Sequence, residues 1–549
     1  MLFIRHNCLV FGLLISALFL RGIYPSHTVI GFDQVQILEN ANLIIAGDFT
    51  LIGPRTGPAD MFTGPLIYYL SAPFIFVFGD VRTITLVPLF LSLITGIIMY
   101  VLLHKYVGKK EAMLGLTLWS FSPFLIDLDR TLWNPNLSIL AASLLFFPLL
   151  AKKHDKHVMM SLFFGAFLSY QAHFSGFLMI GIASLIIIIF KKPKKLLIFI
   201  VSGLLLSLLP TILFDLRNNF LNAHGLIKLF AEKSGAQLLN FIFQLLQNSI
   251  VIARISGSFF FTGISPALMT MSGFIIAITA GIAARRNKKV RQSFIWIGIT
   301  SVILALYRGD TLEYYFMLLI PALIFIFAIL LSQMNQKIRT IFLAILIAYS
   351  CYFTATKNRG QDNLTLEVLS NITAQLENEQ VKTIVYDIYP GGDFGAKYFF
   401  RNIPFVPNGK IIHITYPNTY HFSELTHYGN VAVWADPRIG NNNYITTDSY
   451  ILSSIKTVYL KDQKMISTTP SSYDYYLVMQ ENVVVGHLSI SKIDNQETTW
   501  LNRCMKITER KSSIWVAEST DTYFMSNARH CLFFESSRLS PEFADISIY

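Results

Sequence analysis

Over its first 356 positions the sequence alternates between long apolar runs and short clusters of basic residues. Because the hydrocarbon core of a bilayer is about 30 Å thick, an apolar run of about 20 residues can cross it as a helix. Hydrophobic residues make up 53% of the 549-residue chain and charged residues only 14%, against about 25% in typical soluble domains. The pattern predicts an α-helical polytopic membrane protein and excludes a disordered chain.

Eleven apolar runs are candidate transmembrane helices, and the positions of the basic residues between them test whether this number is right. Lys and Arg concentrate in cytoplasmic loops, so they should cluster in every second connection. Clusters indeed occur at 105–110, 152–156, 191–195, 285–291 and 337–339. This face is therefore predicted to be cytoplasmic, and the net charge of +11 reflects topology and does not indicate a nucleic-acid partner. The runs lie at about Cys8–Tyr24, Ile84–Leu103, Met113–Leu128, Leu137–Leu150, Val158–Ala172, Phe177–Phe190, Leu196–Phe214, Leu268–Ala284, Ser293–Tyr307, Tyr315–Leu331 and Ile341–Thr356.

Two apolar segments need separate treatment. Pro65–Phe78 is short and bounded by proline, and the alternation of basic clusters holds only if it does not span. We therefore expect a juxtamembrane helix on the outer surface. The first run resembles a signal sequence, but Arg21, Gly22 and Pro25 replace the small-residue cleavage site, so we interpret it as a retained signal anchor.

The chain is predicted to hold two domains. Residues 1–356 form the membrane domain, in which 25–64 is the first outer loop, and 357–549 form a polar α+β domain with short β-rich stretches. With the N-terminus cytoplasmic, an odd number of spans places this second domain outside the cytoplasmic (inner) membrane. Cys504 and Cys531 could form a disulfide there, but two thiols in one domain do not decide the matter.

Several common motifs are absent from the sequence. It contains no Walker-type glycine loop, GxGxxG, HExxH, CxxC or GxSxG. No nucleotide, thiolate-bound metal or other cofactor is therefore predicted.

The first outer loop offers a candidate catalytic acid. Asp33 follows Gly31-Phe32 soon after the first span. Held near the membrane surface, its carboxylate could act as a general base. The alternative is an ordinary solvated carboxylate, which position alone does not exclude.

A second polar cluster lies between the third and fourth spans. Asp127 and Asp129 form a DxD pair whose oxygens could bind one divalent cation. The alternative is that a carboxylate pairs with Arg130, since charged groups at membrane depth are costly unless paired. Asn134 belongs to the same loop.

Other polar residues fall in the remaining outer connections. Gln171 and His173 lie between the fifth and sixth spans, and Arg308 and Glu313 between the ninth and tenth. His173 could move a proton or bind a sugar hydroxyl, or it could be a satisfied interfacial histidine. Because all these clusters fall on the predicted outer side, their side chains could line one outward-facing cavity.

The order of these motifs resembles the polytopic C-type glycosyltransferases, and most closely the dolichyl-phosphate-mannose protein mannosyltransferase family (glycosyltransferase family 39) and its bacterial aminoarabinose transferase relatives. The resemblance covers about Met1 to Leu331. It rests on an acid soon after the first span, followed in order by Thr63–Leu70, Phe78–Arg82, Lys105–Ala112, Ser122–Pro123, Trp133–Asn136 and Gln171–Phe174.

The resemblance implies transfer of a sugar, with inversion, from a polyprenyl-phosphate carrier in the membrane to a glycan, lipid or protein acceptor. By motif position Asp33 would be the base and Arg82 would bind the donor phosphate, with Arg55 and Arg130 as further candidates. Asn134, Gln171, His173 and Glu313 would bind substrate. The sequence departs from the mannosyltransferases, which carry two adjacent acids, because Gln34 follows Asp33. It also lacks the WWD motif of the oligosaccharyltransferases.

Two alternatives remain open. A glycan polymerase or ligase would use a whole lipid-linked oligosaccharide, whereas a flippase or transporter would place its ionisable groups near mid-bilayer. The sugar, the acceptor and the role of 357–549 are not encoded in any motif that we can read.

Overall fold

The fold was analysed in a computed structural model of the chain. It describes all residues except 1, 25–27, 57–60, 232–237, 308–311, 357–363, 389–392, 408, 417–425, 429–430, 436–454, 462–463, 467–472, 481–482, 492–504, 512–513, 520–545 and 549. Arg308, Cys504 and Cys531 lie outside the described residues, so the predictions on them stay predictions.

The chain divides into two compact units. Unit 1 comprises Met1–Pro25 and Gln36–Lys357, and unit 2 comprises Ser26–Val35 and Asn358–Tyr549. The segment 26–35, which the sequence analysis placed in the first outer loop of the membrane domain, thus groups with unit 2. That segment contains the candidate base Asp33.

Unit 1 is a bundle of helices, as predicted for a polytopic membrane protein. Its core is built from large buried side chains such as Trp119, Phe146, Trp296 and Phe325. Two two-residue strands, β1 (Arg55–Thr56) and β2 (Met61–Phe62), and two 3₁₀ helices, Asn134–Asn136 and Glu313–Leu319, interrupt the helices. The helices are α1 (Leu2–Gly22), α2 (Phe32–Ile45, which begins in unit 2), α3 (Leu66–Phe78), α4 (Asp80–Tyr106), α5 (Lys109–Phe121), α6 (Pro123–Leu128), α7 (Leu137–Leu149), α8 (Lys156–Ala172), α9 (Gly176–Ile189), α10 (Lys195–Arg217), α11 (Leu221–Ala231), α12 (Leu238–Phe261), α13 (Pro266–Arg286), α14 (Lys288–Leu306), α15 (Ile320–Gln333) and α16 (Gln336–Thr356).

Six helices of the described chain are long and apolar enough to cross a membrane. They are Asp80–Tyr106, Lys195–Arg217, Pro266–Arg286, Lys288–Leu306, Glu313–Gln333 and Gln336–Thr356. Shorter apolar helices accompany them, among them α3, which the sequence analysis expected to lie on the outer surface. At about 1.5 Å per residue its 13 residues span about 20 Å, too little to cross the bilayer.

The bundle differs from the predicted spans in two places. The run Met113–Leu128, predicted as one span, is broken after Phe121 because Ser122 caps a new helix and Pro123 occupies its first turn. In addition, α12 was not predicted. Its polar residues Gln244, Gln247 and Arg254 interrupt the apolar run that sequence reading looks for.

Helix α12 nevertheless packs closely within the bundle. A Cβ atom on Gly257 would lie 1.9 Å from the carbonyl oxygen of Met269 in α13, and one on Gly273 would lie 1.8 Å from that of Ala253. Both positions therefore require glycine. Small residues at such contacts let helix backbones approach closely, which is the usual basis of helix association in membranes.

The basic connections meet at one end of unit 1. Lys289 Nζ donates to the carbonyl of Tyr106 at 2.5 Å, and Lys192 Nζ donates to that of Ala151 at 3.5 Å. Lys105 forms a 3.2 Å ion pair with Asp155. The predicted alternation requires this grouping, and the assignment of this end to the cytoplasm stays a prediction.

Unit 2 combines helices α17 (Leu366–Glu377) and α18 (Asp393–Phe400) with β-sheets. The first sheet has the order β3-β4-β6-β5, with β3 parallel to β4 and the other pairs antiparallel. The other two have the orders β10-β9-β7-β8 and β11-β12-β13. The strands are β3 (Val381–Ile388), β4 (Lys410–Tyr416), β5 (Thr426–Tyr428), β6 (Val431–Ala435), β7 (Ile455–Lys461), β8 (Lys464–Ile466), β9 (Tyr473–Gln480), β10 (Val483–Ser491), β11 (Met505–Lys511), β12 (Ile514–Ser519) and β13 (Ile546–Ile548).

Candidate functional site

Asp33 lies in the first turn of α2. The helix begins after Gly31, whose backbone N–H donates to the Gln34 side chain at 2.9 Å. This is half of a capping box, in which the third helical residue satisfies an amide that the helix leaves open. The position after the candidate base, where mannosyltransferases carry a second acid, therefore caps the helix here. At a helix N-terminus the backbone dipoles stabilise a negative side chain such as Asp33.

The backbone before Asp33 is held by other residues of unit 2. Ile30 N–H donates to the carbonyl of Leu364 at 3.2 Å, and Leu366 N–H donates to that of Thr28 at 2.9 Å. A Cβ atom on Gly395 of α18 would lie 2.3 Å from the carbonyl oxygen of Ile30, so only glycine fits at that contact. The segment that leads into α2 is thus an integral part of unit 2.

An aromatic contact adds to this attachment. The rings of Phe32 and Phe394 pack edge to face, with centroids 4.7 Å apart. Such pairs contribute about 0.5–1.5 kcal/mol beyond the burial of their surface. Phe32 is the residue directly before Asp33, so unit 2 fixes the local backbone on which the candidate base is carried.

The three predicted phosphate-binding arginines lie on separate elements of unit 1. Arg82, in the first turn of α4, is exposed and has no hydrogen-bond or ion-pair partner among the described residues. Arg55 is exposed on β1, opposite Phe62 of β2. Arg130 is half-buried and donates to the carbonyl of Leu20 at 2.5 Å. Of the three, Arg82 is the cation most open to an incoming anion.

Asp129 forms an ion pair with Arg21, a partner that the sequence analysis did not predict. Its carboxylate accepts from Arg21 Nε and from Ser92 Oγ, both at 2.7 Å. Arg21 also donates to the carbonyls of Trp119 at 2.8 Å and Ser120 at 3.4 Å, and its guanidinium lies over the Trp119 ring. The ion pair joins α1, α4 and the α5–α6 break, which is a structural role.

The DxD pair has no third metal ligand beside it among the described residues. Asp127 is half-buried on α6, two positions before Asp129. Within the part of the chain that the structure describes, no group of three His, Cys, Asp or Glu side chains could hold a metal ion. The carboxylate of Asp129 would have to leave Arg21 in order to bind one. The weak metal prediction for Asp127 and Asp129 stays a prediction.

Gln171 and Asn134 connect elements around the α8–α9 turn. Gln171 Oε1 accepts from the Leu66 backbone N–H at 3.0 Å, and its Nε2 donates to the carbonyl and the hydroxyl of Ser207, each at 3.1 Å. The side chain thereby links α3, α8 and α10. Asn134 Nδ2 donates to the carbonyl of Ala172 at 2.6 Å. Both amides position the turn that carries His173, and direct substrate binding by either stays a prediction.

His173 lies in the α8–α9 connection, outside both helices, and is buried among aromatic rings. Its ring centroid is 5.1 Å from that of Tyr314 and 5.3 Å from that of Tyr315. Burial lowers the pKa of His173 to about 4, so the imidazole is neutral near pH 7. The backbone N–H of Ser175 donates to Nδ1 at 3.1 Å, which places the proton on Nε2. The hydrogen bonds of the ring among the described residues are those of Nδ1 with Ser175, so the Nε2–H has no partner there.

A cavity of about 300 Å³ lies beside this aromatic cluster. It is lined by Phe124 and Leu128 of α6, by Trp133 and by the segment that begins at Glu313. The Trp133 ring packs edge to face on Tyr314, with centroids 4.9 Å apart. Ligand pockets are mostly lined by apolar and aromatic side chains with a few polar groups, and this cavity has such a lining.

Glu313 is held by a residue that sequence reasoning missed. Arg254 of α12 forms an ion pair with it. Arg254 is the single charged residue in the run 238–261. An ionisable residue within a long apolar run is by default a functional candidate, and that signal was available from the sequence.

A second cavity, of about 360 Å³, lies between α9 and α14. Its lining is mostly apolar, with Phe177, Leu178 and Leu304, and the hydroxyl-bearing residues in it are Ser175, Tyr307 and Tyr315. Tyr315 lines this cavity and its neighbour Tyr314 lines the first one. The two neighbouring tyrosines thus contribute to different cavities, and His173 packs on both of their rings.

Comparison with known structures identifies the fold. The chain is similar to ArnT from Cupriavidus metallidurans in its apo state, with a TM-score of 0.53 and 12% identity over 79% of this chain and 98% of that chain. The same protein bound to undecaprenyl phosphate gives 0.53 and 12% over 80% and 99%. The archaeal oligosaccharyltransferase AglB from Archaeoglobus fulgidus matches with a TM-score of only 0.40 and 15% identity, over 73% of this chain and 60% of that chain.

No protein-family model matches the sequence, and none of the curated proteins matches it. The likeness to ArnT extends over nearly the whole of that protein. The predicted resemblance to the polytopic C-type glycosyltransferases is therefore confirmed at the level of the fold. At 12% identity the likeness defines an architecture, and the activity has to be argued from this chain's own residues.

Proposed function

We propose that the protein is an inverting glycosyltransferase that moves a sugar from a polyprenyl-phosphate carrier to an acceptor at the outer face of the cytoplasmic membrane. The observation that carries the proposal is the ArnT-like fold, because one of the ArnT structures binds undecaprenyl phosphate. The position of Asp33 in a capped helix turn supports it. A polyprenyl phosphate is anchored in the bilayer, which suits a chain whose helices span it.

The proposed chemistry is a single displacement. The acceptor oxygen or nitrogen attacks the anomeric carbon from the face opposite the phosphate. The bond between that carbon and the phosphate oxygen breaks, and the polyprenyl phosphate leaves with the electron pair. Asp33 takes the proton of the acceptor, a task for which a carboxylate needs only hydrogen-bond reach.

Arg82 is the proposed phosphate ligand, since it is exposed and has no partner among the described residues. An arginine binds a phosphate through two parallel hydrogen bonds and stabilises the charge that grows on the leaving group. Arg55 and Arg130 are further candidates. The Nε2–H of His173 and the carboxylate of Glu313 are proposed to bind hydroxyl groups of the sugar.

The decisive experiment replaces Asp33 by Asn in the full-length protein. Envelope glycans and lipids are compared by mass spectrometry in cells that produce the wild type, Asp33→Asn or no protein. Wild type should add a mass of the size of one hexose or pentose, and Asp33→Asn should lower this product at least 100-fold. A product larger by a whole oligosaccharide would instead indicate a polymerase or ligase.

Glu39→Gln is the matched control. Glu39 is an exposed acid on the same helix, six positions further on. Its substitution removes the same charge and should leave the product unchanged. If Asp33→Asn were as active as Glu39→Gln while both proteins are present in the membrane in equal amounts, Asp33 would not be the base.

A further inference from the structure

A group of basic side chains at three connections meets at the end of unit 1 opposite to the candidate site in the predicted topology. His154 comes from the α7–α8 connection and Lys192 from the α9–α10 connection, whereas Lys195 and Lys288 are the first residues of α10 and α14. Lys192 reaches across to the α7–α8 connection, where its Nζ donates to the carbonyl of Ala151. We call these four residues the basic cluster.

Lys192 is the centre of the basic cluster, because its Nζ reaches the connection that carries His154. Burial together with the positive charges of Lys192 and Lys195 lowers the pKa of His154. Burial together with the charge of Lys288 lowers the pKa of Lys192. Like charges repel each other, so an anion that binds among these side chains would be stabilised by all of them.

The acids at this end of unit 1 act on other lysines, since the charge of Glu111 acts on Lys289. Lys192, Lys195 and Lys288 form no ion pair with a described residue. The nearest acid in sequence, Asp155, caps α8 and pairs with Lys105. Nδ1 of His154 is buried and has no hydrogen-bond partner there. A buried polar atom without a partner is unfavourable, and a ligand could supply the missing hydrogen bond.

The backbone directly before Lys192 has an unusual conformation. Helix α9 ends in a Schellman motif, in which Lys191 N–H donates to Ile188 and Lys192 N–H donates to Ile187. The residue at the left-handed position of this motif is usually glycine, but here it is Lys191, with φ of 49°. A side chain at positive φ is strained, and such strain is concentrated at functional positions.

Apolar surface borders the basic cluster on the same two helices. Ile188 and Ile189 in the last turn of α9 are 61% and 56% exposed, and Ile198 near the start of α10 is 65% exposed. A free phosphate or a nucleotide would make no use of this surface. A phospholipid would, because its acyl chains lie against the helices while its phosphate meets the cations.

We propose that the basic cluster binds the phosphate of an anionic phospholipid, with the acyl chains lying along the exposed ends of α9 and α10. Each Lys near an anionic lipid surface contributes about fivefold to binding, which corresponds to about 1 kcal/mol. Removing three should therefore weaken retention of such a lipid about 100-fold. This site is separate from the proposed glycosyl transfer and does not depend on it.

The test is native mass spectrometry of the full-length protein in detergent with equal amounts of phosphatidylglycerol and phosphatidylethanolamine. Wild type should retain phosphatidylglycerol in preference to phosphatidylethanolamine. The triple variant Lys192→Ser, Lys195→Ser, Lys288→Ser should lose that preference. The control variant Lys109→Ser, Lys156→Ser, Lys337→Ser removes the same charge from the predicted cytoplasmic segments and should keep it.

Three results would overturn the proposal. The basic-cluster variant could retain phosphatidylglycerol as wild type does, or the control variant could lose it equally, which would indicate a general charge effect. Inorganic phosphate at 10 mM, chosen as a probe, could raise the melting temperature of wild type as much as phosphatidylglycerol does, which would indicate a site for free anions. A melting temperature measured for both variants in the same detergent shows whether they are folded.

Discussion

The ion pair between Arg21 and Asp129 allows a sharp test of how unit 1 is held together. The side chains are 0% and 5% exposed, their closest atoms are 2.7 Å apart, and Ser92 completes the shell around the carboxylate. Asp129→Ala leaves the guanidinium buried without its counter-charge. Removing one partner of a buried pair typically costs about 3–5 kcal/mol, because the remaining charge is uncompensated.

The double variant Arg21→Met, Asp129→Leu removes both charges and should recover most of that loss. The free energy of unfolding is measured for each variant by titration with sodium dodecyl sulfate in mixed micelles. Asp127→Ala serves as the control, since this acid is only half-buried and should cost less than half as much. The reasoning would be refuted if Asp129→Ala were within about 0.5 kcal/mol of wild type, or if the double variant were no better than the single one. A loss of stability with EDTA would instead support a metal at the DxD pair.

Three further predictions concern contacts within unit 1 or within unit 2. Burial lowers the pKa of His173 from 6.5 to about 4, so between these pH values the unfolded chain takes up a proton that the folded protein does not. Stability should therefore fall by up to about 3 kcal/mol as the pH drops from 6.5 to 4, and His173→Phe should remove this dependence in unfolding measured across pH. Gln171→Met keeps the volume but removes the three hydrogen bonds of the amide, which should cost about 2 kcal/mol in the same unfolding titration; an unchanged midpoint would contradict its role as a link. Gly395→Val would press on the carbonyl of Ile30, so the backbone amides of Ile30 and Leu366 should exchange hydrogen at least tenfold faster, and equal rates would show that the contact is not needed.

The membrane architecture was predictable because its signals are local. Apolar length and the alternation of basic clusters are properties of short windows, and they led to the helical bundle and to the surface helix α3. The short β-rich stretches of the second domain were predicted for the same reason, and strands such as β3, β6 and β10 are found there. The break at Ser122 was also readable, since Ser-Pro is a helix-start signal.

What sequence reading missed depends on contacts between distant positions. Arg21 and Asp129 are separated by 108 residues, and no local pattern says which acid the arginine meets. Arg254 was overlooked because polar residues lower the hydropathy of α12, although close packing through glycine keeps that helix in the bundle. The ligand roles of the candidate site, above all those of Asp33 and Arg82, stay predictions that only the proposed assays can test.

Because residues 26–35 group with unit 2, the two units are not consecutive segments of the chain. The chain passes between the two units at 25/26, 35/36 and 357/358, so no single cut separates them. Ending the chain at 357 would leave the backbone of Thr28 and Ile30 without Leu366 and Leu364, next to the proposed base. An exchange of unit 2 between related proteins would therefore have to transfer two segments together. Selection acting on unit 2 would in the same way act on the segment that leads into α2 and carries Asp33.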